Sequence, residues 1–126
     1  MLASGSNDRT VRCWNATTGA RVGRPITGHT DWVWALAAWV GPDRRPMLAS
    51  ASRGGTIRRW NAATGAPVGD PMTGHTDWVR ALAAWSGPGG PMLASACDDK
   101  TIRRWNVTTG APVGDPMTGH TRPVTA

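Results

Sequence analysis

The chain contains no phenylalanine, no tyrosine and no glutamate, only one lysine, and two cysteines in 126 residues. With the other two aromatics absent, eight tryptophans supply every aromatic ring, so any core must be anchored by indoles. Cys13 and Cys97 occupy non-equivalent places in the repeat described below, which excludes a repeated disulfide or metal framework. A reducing, cytoplasmic setting is the expectation. No apolar run approaches 20 residues and no charged-then-apolar segment opens the chain, so nothing suggests a membrane span or a signal peptide. Eight aspartates face thirteen arginines and one lysine, for a net charge of +6. Such an excess is compatible with an anionic partner; the simpler reading is that the arginines belong to the repeat unit and were copied with it, as Arg12, Arg58, Arg59, Arg103 and Arg104 are.

The phrase TGHTDWVWALAAW at residues 27–39 returns as TGHTDWVRALAAW at 73–85, with Trp34 against Arg80 the one difference. It begins again as GHTRPVTA at 119–126. The Gly-His pairs stand 46 and then 45 residues apart, as do Trp14, Trp60 and Trp105. A fixed period of this length marks a repeat architecture, in which each unit buries its faces against its neighbours. Comparing WVGPDRRP with WSGPGGP puts the one-residue length change in a Gly/Pro loop, where insertions are tolerated. The units fall at about 1–27, 28–73 and 74–118, with a further one begun at 119–126, in a single segment spanning 1–126.

One unit reads as four strands. VWALAAWV (33–40) is short and bounded by Gly-His and Gly-Pro, which favours a buried strand over a helix. PMLASAS (46–52) and TIRRWN (56–61) follow, joined by the tight turn RGG. NAATG supplies hairpin chemistry with a left-handed residue at its end. APVGDPM (66–72) is a fourth, weaker strand, confined to a sheet edge because its two prolines cannot donate ladder hydrogen bonds. The fold class is therefore all-β.

A Gly-His pair, a tight turn often holding Asp, and a Trp followed by Asn or Asp at this period resemble the WD-repeat β-propeller family. The resemblance covers essentially the whole chain. It implies blades of four antiparallel strands and, at about three blades, a partial propeller. Two departures are visible. The residue after the signature Trp is Asn in every copy (Asn15, Asn61, Asn106), and the middle copy has Gly54 where Asp8 and Asp99 stand in the others.

Each unit also carries a Ser, a His and, in two copies, an Asp, a grouping that invites a hydrolase reading. The set is repeated, and no Gly-x-Ser-x-Gly elbow surrounds any serine. The resemblance implies a structural role instead: tetrads of His75, Ser95, Asp99 and Trp105, and of His29, Ser50 and Trp60. A third, Ser4, Asp8 and Trp14, would take a histidine equivalent to His120 from elsewhere. Equivalent histidines in successive blades sit far apart around a ring, so no metal site is expected, nor any cofactor.

Propellers close with four to eight blades, and seven units of this length need roughly 315 residues. The chain begins at a second strand and ends at Val124-Thr125-Ala126, partway into a first. One reading is a self-associating partial propeller, two copies giving six blades and three giving nine; nine departs slightly less from the seven-bladed angle. The other reading, favoured by the truncated last strand, is a piece of a longer array.

The resemblance implies a non-catalytic scaffold that presents blade loops to protein partners. The expected contact residues are Asp31, Trp32, Trp34, Arg53, Asp77, Trp78, Arg80 and Asp98, which lie around the entry of the first strand or vary between copies. Trp32 and Trp78 read equally well as core wedged between blades. The alternative function is nucleic-acid or polyanion binding through Arg12, Arg58, Arg59, Arg103 and Arg104, third-strand arginines that can also stack on the adjacent Trp and snorkel outward.

Overall fold

The computed structural model describes residues 1–41 and 44–126. Among these residues, nine strands form three antiparallel sheets in chain order. The first holds β1 (Leu2–Gly5), β2 (Val11–Trp14) and β3 (Arg21–Ile26). The second holds β4 (Val33–Val40), β5 (Pro46–Ser52) and β6 (Ile57–Asn61). The third holds β7 (Val79–Gly87), β8 (Gly90–Cys97) and β9 (Ile102–Asn106). The limits of β4 and β5 are those read from the sequence, and β6 starts one residue later. The length-change loop includes Pro42 and Asp43, which lie outside the described residues.

The fourth strand is a correction. Residues 66–72 form no continuous strand; the segment touches β6 through two isolated bridges, Ile57 to Met72 and Trp60 to Pro67, and the third unit repeats this with Met117 and Pro112. Only the first unit builds the fourth strand, as β3, paired with β2 around a bulge. Arg21, opposite Trp14 in β3, stands where the other units have Pro67 and Pro112. The segments also differ at Arg24/Asp70 and Ile26/Met72. The Pro67 nitrogen points away from β6, since the bonds flanking that bridge run from Val68 N to Arg59 O and from Asn61 N to Ala66 O. The proline therefore acts through its fixed φ and not through a lost ladder donor.

Tryptophan anchors fill the spaces between sheets. Leu48 and Trp60 of the second sheet pack with Val11, Cys13 and Ile26 of the first. Leu93 and Trp105 of the third pack with Ala49, Ala51 and Ile57 of the second. β5 is buried along nearly its whole length because it is the central strand and has a sheet on either side. The small Ala49 and Ala51, both fully buried, let the neighbouring sheet approach closely. Successive sheets are also stitched by backbone: Val33 N donates to Ser6 O at 3.0 Å, and Val124 N donates to Cys97 O at 3.0 Å. The last residues thus seat on the third sheet as the start of β4 seats on the first.

Arg21→Pro should shrink β3 to bridges like those of the other units. The expected loss is under about 1 kcal/mol, because the Arg21 N–H makes no ladder bond and the change acts through the fixed φ of proline, with faster amide exchange at Val22 and Arg24. Unchanged exchange there would show that the prolines are not what breaks the fourth strand.

Candidate functional site

In the third sheet a directional relay runs from the core to the loop. Trp105 Nε1–H donates to Ser95 Oγ at 2.9 Å; Ser95 Oγ lies 2.5 Å from His75 Nε2; His75 Nδ1 lies 2.9 Å from Asp99 Oδ2. An indole only donates and a carboxylate only accepts. The hydroxyl therefore donates to Nε2, and the neutral imidazole carries its proton on Nδ1. Asp99 also accepts from the Thr101 hydroxyl and from the Thr76 and Thr101 amides. Burial raises its carboxyl pKa, but these donors and His75 outweigh it and hold the group well below the usual range.

The second sheet has a shorter relay. Trp60 Nε1–H donates to Ser50 Oγ at 2.7 Å, and Ser50 Oγ lies 2.5 Å from His29 Nε2. Gly54 replaces the aspartate, and among the described residues His29 Nδ1 has no partner. Burial, with the Arg58 charge nearby, lowers the His29 pKa from its ordinary 6.5 to about 4. In the first sheet Trp14 Nε1–H donates to Ser4 Oγ at 2.9 Å, while the Asp8 carboxylate accepts from the Thr10 amide and hydroxyl. His120 is exposed near the far end of the chain and does not join them.

The relays share the wiring of a hydrolytic triad, but Ser50 and Ser95 are fully buried, and each oxygen already accepts an indole N–H. Cys97 lies beside the third relay, where the other units have Ser6 and Ser52. Ligand atoms of His75, Cys97 and Asp99 fall within 4.8 Å of one another, a grouping invisible in the sequence because the residues come from two loops. All are engaged: the Cys97 thiol donates to Asp77 O and accepts from Asp99 N. Burial pushes its pKa up to about 11, so it is a neutral thiol near pH 7.

The expected partner-contact residues meet at the end of the second and third sheets. There the Trp32 and Trp78 carbonyls accept from the Arg53 and Asp98 amides, both at 2.9 Å. Ring centroids of Trp34 and Trp78 stand 5.5 Å apart, and those of Trp32 and Trp78 stand 6.2 Å apart. The Arg53 guanidinium lies 5.0 Å from Trp32 and 4.8 Å from Trp78; that of Arg80 lies 5.1 Å from Trp34 and 4.3 Å from Trp78. Arg80 in turn grips Asp98 through two bonds of 2.8 and 2.9 Å. Asp31 and Asp77 accept from the amides of Trp32 and Trp78, which shapes the loops. Trp32 and Trp78 are half-buried, and Trp34 remains 44% exposed.

The third-strand arginines behave otherwise. Arg59 is buried, and Arg58, Arg59, Arg103 and Arg104 each have a buried, unpaired Nε. Among the described residues the cations lying over indoles are Arg53 and Arg80, which corrects the expected stacking of third-strand arginines. The copy differences were the available signal: positions 34/80 and 53/98 change together, and the structure makes them neighbours.

Two outcomes follow for the relays. His75→Ala should destabilise more than His29→Ala by about 1 kcal/mol, the worth of the additional hydrogen bond; equal shifts of the urea midpoint would contradict this. Between pH 6.5 and about 4 the unfolded chain protonates His29 while the folded chain leaves it neutral, so stability falls as pH drops through that window. His29→Gln should flatten this fall in urea titrations at pH 7, 6 and 5, and an unchanged slope would remove His29 as its source.

Comparison with curated proteins gives no significant match. A comparison with protein families does: the profile described as WD domain, G-beta repeat (WD40) matches residues 1–15, 21–61 and 67–106. The three matched stretches contain the three Ser–Trp pairs and all nine strands. By its period, its sheets and this match, the chain belongs to the WD40 repeat family.

Proposed function

We propose that the chain is a non-catalytic scaffold that holds a protein partner on the tryptophan–arginine cluster formed by Trp32, Trp34, Arg53, Trp78 and Arg80. The observation that carries the reading is Trp34, a large indole left 44% exposed at the edge of a rigid stack. Exposed Trp and Arg dominate binding hot spots, each often contributing 2 kcal/mol or more. A stack already held in place loses little side-chain entropy when a partner arrives. Membership in the WD40 family, whose domains generally bind proteins, supports the same reading. The relays are assigned to structure, because their serine oxygens are buried and occupied.

The polyanion alternative loses ground, since Arg59 is buried and its Nη1 donates to the Val107 and Thr108 carbonyls. Among the described residues no helix is long and apolar enough to cross a membrane. Further units, from a longer array or from other copies in a dimer or trimer, are proposed as the neighbours of the two outer sheets. In that arrangement a His120 equivalent would complete the relay of Ser4, Asp8 and Trp14. A reducing, cytoplasmic setting suits the two free, buried thiols.

Trp34→Ala and Arg80→Ala should each alter stability by under about 1 kcal/mol, as surface changes do. Each should weaken capture of a protein partner from a host lysate by tenfold or more, with binding that persists at 0.2 M salt. Loss of cooperative unfolding in both variants would make these packing groups. Binding that collapses steeply with salt would favour the polyanion reading.

A further inference from the structure

The two interfaces between neighbouring sheets are built from equivalent residues but are filled differently. Between the second and third sheets, Arg59 reaches across from β6. Its Nη1 donates to Val107 O at 2.8 Å and to Thr108 O at 3.4 Å, both in the turn after β9. The guanidinium is wedged against two glycines: a methyl group added to Gly110 would fall 2.7 Å from Arg59 Nη2, and one on Gly69 would clash with the same atom. Burial works against this charge and lowers its pKa, and nearby Asp70 offsets part of that.

Between the first and second sheets the residue equivalent to Arg59 is Cys13. The turn it faces, 61–66, has the hydrogen bonds of the turn 106–111: Asn61 Oδ1 accepts from the Ala63 and Thr64 amides, as Asn106 Oδ1 does from Thr108 and Thr109. Ala62 O and Ala63 O are the counterparts of the carbonyls that Arg59 engages, and among the described residues no protein donor reaches either. The space that the guanidinium would fill is open. A methyl on Gly23, the counterpart of Gly69, would meet nothing within 4 Å, and one on Gly65, the counterpart of Gly110, would meet only Ile26, at 3.5 Å. A cavity of about 340 Å³ lies there, lined by Cys13, Gly23, Arg24, Ala62, Ala63 and Gly65 among others.

We infer that this cavity is a binding site for a small alkylguanidinium ligand, whose planar N–H groups take the place of the missing arginine on Ala62 O and Ala63 O. The acceptors and the shape are those that hold Arg59 one interface further on. In the Arg59 contact one guanidinium nitrogen serves both carbonyls, the second at 3.4 Å, and a donor that carries charge forms the stronger, charge-assisted class of hydrogen bond. Arg24 stands where Asp70 stands in the second unit and lines the same cavity. It opposes a cation, and at this range, inside the roughly 8 Å screening length, salt removes little of that repulsion; its exposure to solvent lets water weaken it. Two bonds without a counter-ion imply a midpoint in the millimolar range, well below denaturing concentrations.

The test is a titration of the full chain with methylguanidinium, followed by amide NMR. Ala63 and Thr64, whose N–H groups share peptide units with the two carbonyls, should shift and saturate. Cys13→Arg should abolish the titration by supplying the guanidinium internally. If that variant does not fold, Cys13→Lys, which puts a cation and its stem into the same space, should weaken it at least tenfold. Arg24→Asp should tighten binding several-fold. Arg59→Ala should open a second site, with Thr108 and Thr109 now responding. Non-saturating shifts spread over all exposed amides, or an undiminished titration in Cys13→Arg or Cys13→Lys, would overturn the assignment.

Discussion

Everything else in this molecule depends on an indole N–H that has to find a partner inside a core. With neither Phe nor Tyr available, Trp60 and Trp105 carry the packing between sheets. Burying one removes roughly 150–250 Å² from water, on the order of 4–6 kcal/mol before entropy is counted. Leaving its N–H unpaired would cost about 1–3 kcal/mol. Ser50 and Ser95, on the adjacent strand, accept it. Their own hydroxyl hydrogens then need an acceptor, which His29 and His75 provide from the loop before the first strand of each blade. The hydrophobic anchor thereby fixes the position of a surface loop.

That fixed loop makes the rest of the surface orderly. Trp32 and Trp78 follow His29 and His75 by three residues, so equivalent indoles on neighbouring blades come within 6.2 Å. Such repetition would stack like on like at every variable position. The sequence avoids it: Trp34, which packs on Trp78, has Arg80 rather than Trp as its own counterpart, and Arg53 has Asp98 as its counterpart, which grips Arg80. The two blades differ where an unvaried copy would set identical groups side by side. The same logic governs the interior contact, where Arg59 fills one interface and Cys13 leaves its counterpart open.

The strands were legible because alternation and Gly/Pro punctuation act within a few residues. β4 and β5 fall on the limits that the sequence implies, and the relay residues recur in register. The fourth strand is misjudged because its apolar letters suggest a strand while Pro67 and Pro112 fix φ at the position that Arg21 occupies in the first unit. Arg21 was the visible exception. The contacts between blades could not be read at all, since no local pattern states the angle between two sheets. Arg59 looked like one of several surface arginines, although it is buried against a turn 48 residues away. Cys97 looked unrelated to His75 and Asp99 until the loops were brought together.

The central claim is that Trp, Ser, His and Asp act as one structural unit. A double-mutant cycle on Ser95→Ala and His75→Ala, read as urea unfolding free energies at pH 7, tests it most directly. If the hydroxyl and the imidazole form one relay, the second change should cost little once the first has been made, with a coupling of about 1 kcal/mol or more. Strictly additive losses would mean that each residue is held independently, and would contradict the relay.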